Sequence, residues 1–203
     1  MRNGVVIGID TGSSSTKLSL FDVAGNCLRE NSFKMDIYHP TLEQAEIDLK
    51  VLFANIIHSL KELVTGYEKD VRGIGLSVAS PTLVLFDHEY KPIRRGIAYF
   101  DNRSIKEVDQ AMERFGGGNM YFARVGNNPS PSTCVAATIN WVRDHEPDVW
   151  GKVAKIGFLN SYLGVELTGN LAVEPTVSSY SGLLRIRKAF SWEPKFLRHH
   201  QFV

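Results

Sequence analysis

Val5-Val6-Ile7-Gly8-Ile9-Asp10-Thr11-Gly12-Ser13-Ser14-Ser15-Thr16-Lys17-Leu18-Ser19-Leu20-Phe21 is the stretch on which the fold turns. An apolar, β-branched run and a second apolar run flank a string of small and polar residues, which predicts a β-hairpin with a generous loop. The loop carries a carboxylate at the end of a buried strand, then a glycine, a row of hydroxyls and a cation. That order suits a phosphate. A tight glycine-containing turn exposes backbone N–H groups to an anion, the hydroxyls add donors, and Lys17 adds charge that can follow a transferring phosphoryl group. Asp10 would repel a phosphate directly; its natural role is to hold Mg²⁺, through water, against phosphate oxygens. A hydroxyl-rich hairpin turn that binds nothing is the competing reading of the same residues. The spacing is neither the GxxxxGK[S/T] of a P-loop nor a GxGxxG fingerprint, both of which open a helix.

Outward from the hairpin, Asp22 to Asn26 reads as a second turn and Cys27 to Ile37 as a third antiparallel strand. Leu49, Leu52, Phe53, Ile56, Ile57, Leu60, Leu63 and Val64 then recur at helical spacing, predicting an amphipathic helix that ends near Gly66. Val71 to Ser77 and Thr82 to Phe86 are further strands, the first parallel because a helix connects it to the meander. Ile105 to Phe115 is a helix closed by Gly116-Gly117-Gly118, and Ser132 to Arg143 another with Ser132 as N-cap. Asn127 to Pro131 between them is a loop. Val153 to Phe158 reads as a strand, Ser161 to Leu167 as a short helix, and Trp192 to Leu197 as the start of one more. With no repeat or linker in sight, the expectation is a single α/β domain with a mixed sheet and helices on both faces.

Composition excludes several classes. The chain has 203 residues, 43% of them hydrophobic and 22% charged, which suffices for a real core. A formal net charge of +1 favours neither nucleic acid nor an anionic membrane as partner. Cys27 and Cys134 form no CxxC pattern, so the expectation is reduced, cytoplasmic cysteines without a zinc site or disulfide framework. No apolar run reaches membrane-spanning length, and the histidines, His199-His200 included, lack metal-ligand spacing.

Strand, hydroxyl turn, strand resembles the first phosphate loop of the actin, heat-shock chaperone and sugar kinase ATPase superfamily, an actin-like (ribonuclease H-like) fold. Within it the chain is similar to the N-terminal domain of the FGGY carbohydrate kinases, in a xylulose-kinase-like manner. Gln44-Ala45-Glu46-Ile47-Asp48 is similar to the segment entering their first helix, and Gly75-Leu76-Ser77 followed by Leu85-Phe86-Asp87 to their next strand pair. Ile97-Ala98-Tyr99-Phe100-Asp101-Asn102-Arg103-Ser104 resembles I-x-W-x-D-x-R-[S/T], with Tyr99 in place of tryptophan. Trp141, Glu146-Pro147, Trp150 and Leu167-Thr168-Gly169 match later motifs, and Glu174 to Leu183 a D-x-S-x-A-S stretch with Glu174 for the aspartate.

The resemblance implies an ATP-dependent kinase acting on a sugar or polyol hydroxyl, with ATP and Mg²⁺ as cofactors. Asp10 becomes the metal-side catalytic residue, Lys17 its cationic partner, and Thr11, Gly12, Ser13, Ser14, Ser15, Thr16 and Lys17 the nucleotide-phosphate contacts. Asp101 and Arg103 become either sugar contacts or an internal salt bridge, and Thr133 either a substrate contact or a helix cap. Ala79-Ser80-Pro81-Thr82 stands where xylulose kinases carry Gln-Met-His-Gly and glycerol kinases an Arg-Glu pair, so Ser80, Pro81 and Thr82 border a substrate region that lacks those side chains. An activator ATPase shares the opening pattern but holds an iron–sulfur cluster on cysteines that this chain does not offer; a sugar- or nucleotide-sensing module without turnover is the other alternative. The resemblance further implies that residues 1–203 are the phosphate- and sugar-binding domain, incomplete at its C-terminus. The acceptor-activating aspartate and the ATP-binding second domain would then lie beyond Val203, leaving the fragment inactive alone, its open face meeting the missing half or a second copy in a homodimer.

Overall fold

The computed structural model describes residues 4–182, 184–185 and 191–192. β1 (Val5–Thr11) turns Val5, Ile7, Ile9 and Thr11 inward and leaves Val6 and Asp10 exposed, the two-residue period of a one-sided strand. β2 (Ser15–Asp22) runs antiparallel to it and adds Leu18 and Leu20 to the inward row. Asp22 shapes the next turn: one carboxylate oxygen accepts the amides of Ala24 and Asn26, each at 2.9 Å. β3 (Cys27–Lys34) then returns antiparallel to β2. The short strands β4 (Ile37–Tyr38) and β5 (Glu46–Ile47) follow.

Helix α1 (Leu49–Leu63) buries Leu49, Leu52, Ile56 and Leu63, one stripe at intervals of three, four and seven residues. Each such side chain removed from water contributes about 1.5–3 kcal/mol. Asp48 caps its N-terminus, its carboxylate accepting the amides of Lys50 and Val51 at 3.1 Å. β6 (Val71–Val78) comes back parallel to β1, as a crossover helix requires. The sheet order is β3-β2-β1-β6, so the antiparallel opening and the parallel fourth strand are both as the sequence predicts. α1 packs across β2 and β3 on the inward face, while Val6, Asp10, Lys17 and Ser77 stand exposed on the strands.

Residues 1–37 and 47–79 form this compact unit, and residues 38–46 and 80–203 a second. The second contains β7 (Leu83–Phe86), β8 (Gly96–Ile97), α2 (Ile105–Phe115), α3 (Gly118–Val125), α4 (Val135–His145), α5 (Pro147–Trp150), β9 (Lys155–Phe158), α6 (Leu159–Thr168), α7 (Pro175–Tyr180), β10 (Leu184–Arg185) and β11 (Ser191–Trp192). Its larger sheet runs β4-β5-β8-β7-β9. β7 is buried at all four positions and pairs with β9 antiparallel. Its core joins Leu83 and Leu85 to Val108, Phe115, Tyr121, Val125, Ile139 and Val142 from α2, α3 and α4. Among the described residues no helix is long and apolar enough to cross a membrane.

Three local expectations change. The glycine run after α2 does more than end it: Gly116 takes the left-handed conformation at φ 90° and Gly118 already begins α3. Ser132 is not a helix N-cap, because Pro131–Thr133 form a 3₁₀ turn, with proline at its start where a missing N–H is harmless, and α4 begins only at Val135. Trp192 belongs to β11 rather than to a helix, and 193–197 lie outside the described residues. At Gly182, φ is +74° and an added Cβ would stand 2.2 Å from the Tyr121 hydroxyl, so only glycine fits.

Asp48→Ala is expected to lower unfolding free energy by about 1 kcal/mol through loss of the α1 cap. Chemical denaturation followed by circular dichroism measures it, and Asp48→Asn, which keeps an acceptor, is expected to lose less.

Candidate phosphate-binding site

The hairpin between β1 and β2 closes with the Gly12 amide donating to the Ser15 carbonyl at 2.9 Å. A Cβ on Gly12 would lie 3.2 Å from that carbonyl, which accounts for glycine in so tight a turn. Among the described residues the amides of Ser13 and Ser14 make no backbone hydrogen bond, and both residues are exposed. The Met35 amide of the β3 end holds the turn from behind by donating to the Ser14 carbonyl at 2.9 Å. The amides and hydroxyls of Ser13 and Ser14 are donors on an exposed turn, and successive donors of this kind suit an anion.

Strand alternation sorts the predicted contacts. Asp10 and Lys17 are cross-strand partners on the exposed face. Neither side chain makes an ion pair or hydrogen bond among the described residues. Thr11 and Thr16, also partners, point the other way and are 0% exposed, so only their backbone can serve a ligand there. The Thr16 hydroxyl bonds the Met35 sulfur at 3.2 Å, whereas the Thr11 hydroxyl is buried without a partner among the described residues.

The donor set fits Mg²⁺ held by a single carboxylate. Among the described residues no three His, Cys, Asp or Glu side chains gather into a metal cage. Asp10 has Lys17 across the hairpin and the serine turn next to it in sequence, and a hard cation that keeps most of its water needs little more from the protein when phosphate oxygens supply the rest.

The substrate-side candidates lie in the second unit. Asp101 and Arg103 form a buried, doubly bonded pair, with Nε to Oδ1 and Nη2 to Oδ2 both at 2.9 Å. Their side chains are 2% and 1% exposed. Asp101 also accepts the amides of Arg103 at 3.0 Å and Ala45 at 2.6 Å. Of the two readings open at these residues, the internal salt bridge is the one the geometry displays. Glu46 bridges Arg103, at 2.8 Å, to Arg94. Glu146 approaches both guanidinium groups, and Arg103 lies over the Trp141 ring at 4.9 Å. Burial pulls the Arg94 pKa down. At Arg103 burial acts in the same direction, but hydrogen bonds to Asp101 and Glu46 outweigh it and hold the pKa above its ordinary value. Glu46 and Glu146 lie in stretches that resemble family segments, yet nothing in those stretches marks them as partners of Arg103, and Arg94 lies in none of the motifs.

Thr133 donates to the Asn128 carbonyl and pairs with the Ser130 hydroxyl at 2.8 Å, so its hydroxyl braces the loop before α4 without capping it. Thr82 and Pro81 are buried and Ser80 is half-buried, with a cis peptide bond between Ser80 and Pro81.

The family model for the N-terminal domain of the FGGY carbohydrate kinases matches residues 5–201. The chain belongs to the FGGY family. Xylulose kinase of Staphylococcus xylosus is 26% identical over 193 residues, covering 95% of this chain and 39% of its own length. Gluconokinase of Bacillus subtilis is 25% identical over 194 residues, with 95% and 37% covered. The chain thus spans under two fifths of these FGGY relatives. A solved ligand-bound xylulose kinase of Lactobacillus acidophilus superposes with TM-score 0.90 over 98% of this chain and 40% of its own, at 22% identity, which establishes the shared actin-like fold.

Arg103→Ala is expected to cost about 3–5 kcal/mol of stability, because it strands Asp101 and Glu46 in a nearly dry interior. Asp10→Asn is expected to change stability by less than about 0.5 kcal/mol. Urea titration of the two variants beside the unaltered chain tests both.

Proposed function

We propose that this chain is the phosphate-gripping N-terminal domain of an ATP-dependent kinase that phosphorylates a hydroxyl of a sugar or polyol. The observation that carries the proposal is Asp10: a solvent-facing, unpartnered carboxylate opposite Lys17 and beside the open amides of Ser13 and Ser14, in a chain of the FGGY family.

In this reading Asp10 holds Mg²⁺ through its carboxylate, and the ion's chemistry is to neutralise phosphate oxygens. The Ser13 and Ser14 amides, with the hydroxyls of Ser13, Ser14 and Ser15, orient the phosphate chain. Lys17 meets charge that grows on the transferring group. Thr11, Gly12 and Thr16 contribute by backbone and turn geometry. The Ser80–Thr82 turn and Thr133 are the substrate-side elements, with Asp101 and Arg103 fixing local backbone. Relatives named for xylulose and gluconate support a polyhydroxylated acceptor without choosing one. The adenosine half of the nucleotide site and the aspartate that activates the acceptor belong to a second domain of the kind that fills out the longer relatives. Its closure would exclude water. A reaction that consumes ATP places the enzyme with the cytoplasmic nucleotide pool.

In the complete kinase, Asp10→Asn is expected to lower kcat by about 10²–10³-fold while the sugar KM stays nearly constant; Lys17→Ala should be milder. A coupled ADP-release assay over a panel of pentoses, hexoses, sugar acids and polyols measures both. Equal rates for Asp10→Asn and wild type at saturating ATP and Mg²⁺ would remove Asp10 from the mechanism. The 203-residue chain alone is expected to show no sugar-dependent turnover in the same assay.

A further inference from the structure

We propose that Ser77 is a further positioning residue of the phosphate site, its hydroxyl hydrogen-bonded to the water shell of the cation that Asp10 holds. β1 and β6 are parallel and in register from Val6 and Gly73 onward, so Asp10 is paired with Ser77 on one side and with Lys17 on the other. Paired residues of neighbouring strands share a face, and their Cβ atoms lie about 5 Å apart. Lys17, Asp10 and Ser77 therefore make one row across β2, β1 and β6, and all three are exposed.

The row lies at the carboxyl ends of two parallel strands, where open α/β sheets bind their ligands. The next positions behind it carry no side chain, since Gly8 pairs with Gly75; two residues further back only Val6, paired with Gly73, does. An added Cβ on Gly73 would meet nothing within 4 Å. Nothing from these two strands therefore crowds the Ser77 side of Asp10 except Ser77 itself.

The Ser77 hydroxyl has no hydrogen bond among the described residues. It contributes no packing either, being exposed at an edge strand of its sheet. A hydroxyl that does nothing for the fold is available to a ligand. Its distance class from Asp10 suits a contact through one water, and Mg²⁺ keeps several waters when a single carboxylate holds it. Lys17 on the opposite side of Asp10 serves phosphate charge, so Ser77 is the neighbour that serves the ion.

The inference rests on the reading of Asp10 as the cation-side residue, and the experiment separates the two. The 203-residue chain is titrated with inorganic tripolyphosphate, with and without Mg²⁺, by calorimetry, and the same titrations are run on Ser77→Ala, Ser77→Thr and Asp10→Asn. Ser77→Ala is expected to weaken Mg²⁺-dependent binding by about tenfold, to leave metal-free binding unchanged, and to melt with the unaltered chain. Ser77→Thr keeps the hydroxyl and should bind as wild type does. Unchanged Mg²⁺-dependent affinity in Ser77→Ala, with a loss in Asp10→Asn, overturns the role of Ser77 and leaves Asp10 in place. No Mg²⁺ dependence in the unaltered chain, or none lost in Asp10→Asn, overturns both.

Discussion

The period of two along β1 is the constraint on which the rest depends. Val5, Ile7 and Ile9 have to face the buried side of the sheet, where α1 lies across β2 and β3. Asp10, one residue on, has to face away. A one-residue slip would bury the carboxylate and expose three isoleucine and valine side chains. The same alternation sends Lys17 to the face of Asp10 and sends Thr11 and Thr16 to the opposite one. The chemistry of the turn is therefore set by hydrophobic packing several residues away, and no interaction between Asp10 and Lys17 is needed to place them together.

In the second unit a buried ion cluster does the corresponding work. Glu46, Asp101 and Glu146 carry three negative charges against two on Arg94 and Arg103. Such a cluster is a poor source of stability compared with an apolar core, and its better-attested use is to specify one arrangement. Here it fastens the segment before β5: the Ala45 amide donates to Asp101, the Ala98 amide to the Ala45 carbonyl, and the Asn102 amide to the Glu43 carbonyl. That segment belongs to the second unit although it lies in sequence between strands and helix of the first.

What was legible in the sequence follows from where periodicity is strong. β1, β2 and α1 bury one side continuously, and their boundaries fall within a few residues of the reading; β6 buries none of its residues and still begins where its apolar run predicts, at Val71. β4 and β5 have two residues each and no room for a period, so they were not read as strands of their own. α3 hid behind three consecutive glycines, which signal a stop more loudly than a restart. In the site, Asp10 to Lys17 was visible because its residue types sit together in sequence. The partners of Arg103 were not, since Glu46 is 57 residues away and only folding brings it near. The inward turn of Thr11 and Thr16 follows from the alternation once the strand ends are known; before that, a hydroxyl in a hydroxyl run looks like its neighbours.

The two cysteines lie in opposite environments. Cys134 is wholly enclosed and burial pushes its thiol up to about 11, so at neutral pH it is a protonated packing group. Cys27 is exposed at the start of β3, paired with Phe21 at the end of β2 far along the hairpin from the Gly12–Ser15 turn. Chemistry has thereby been left one addressable handle: a maleimide dye or spin label added to the unaltered chain would attach at a single defined point, clear of the turn whose occupancy it would report.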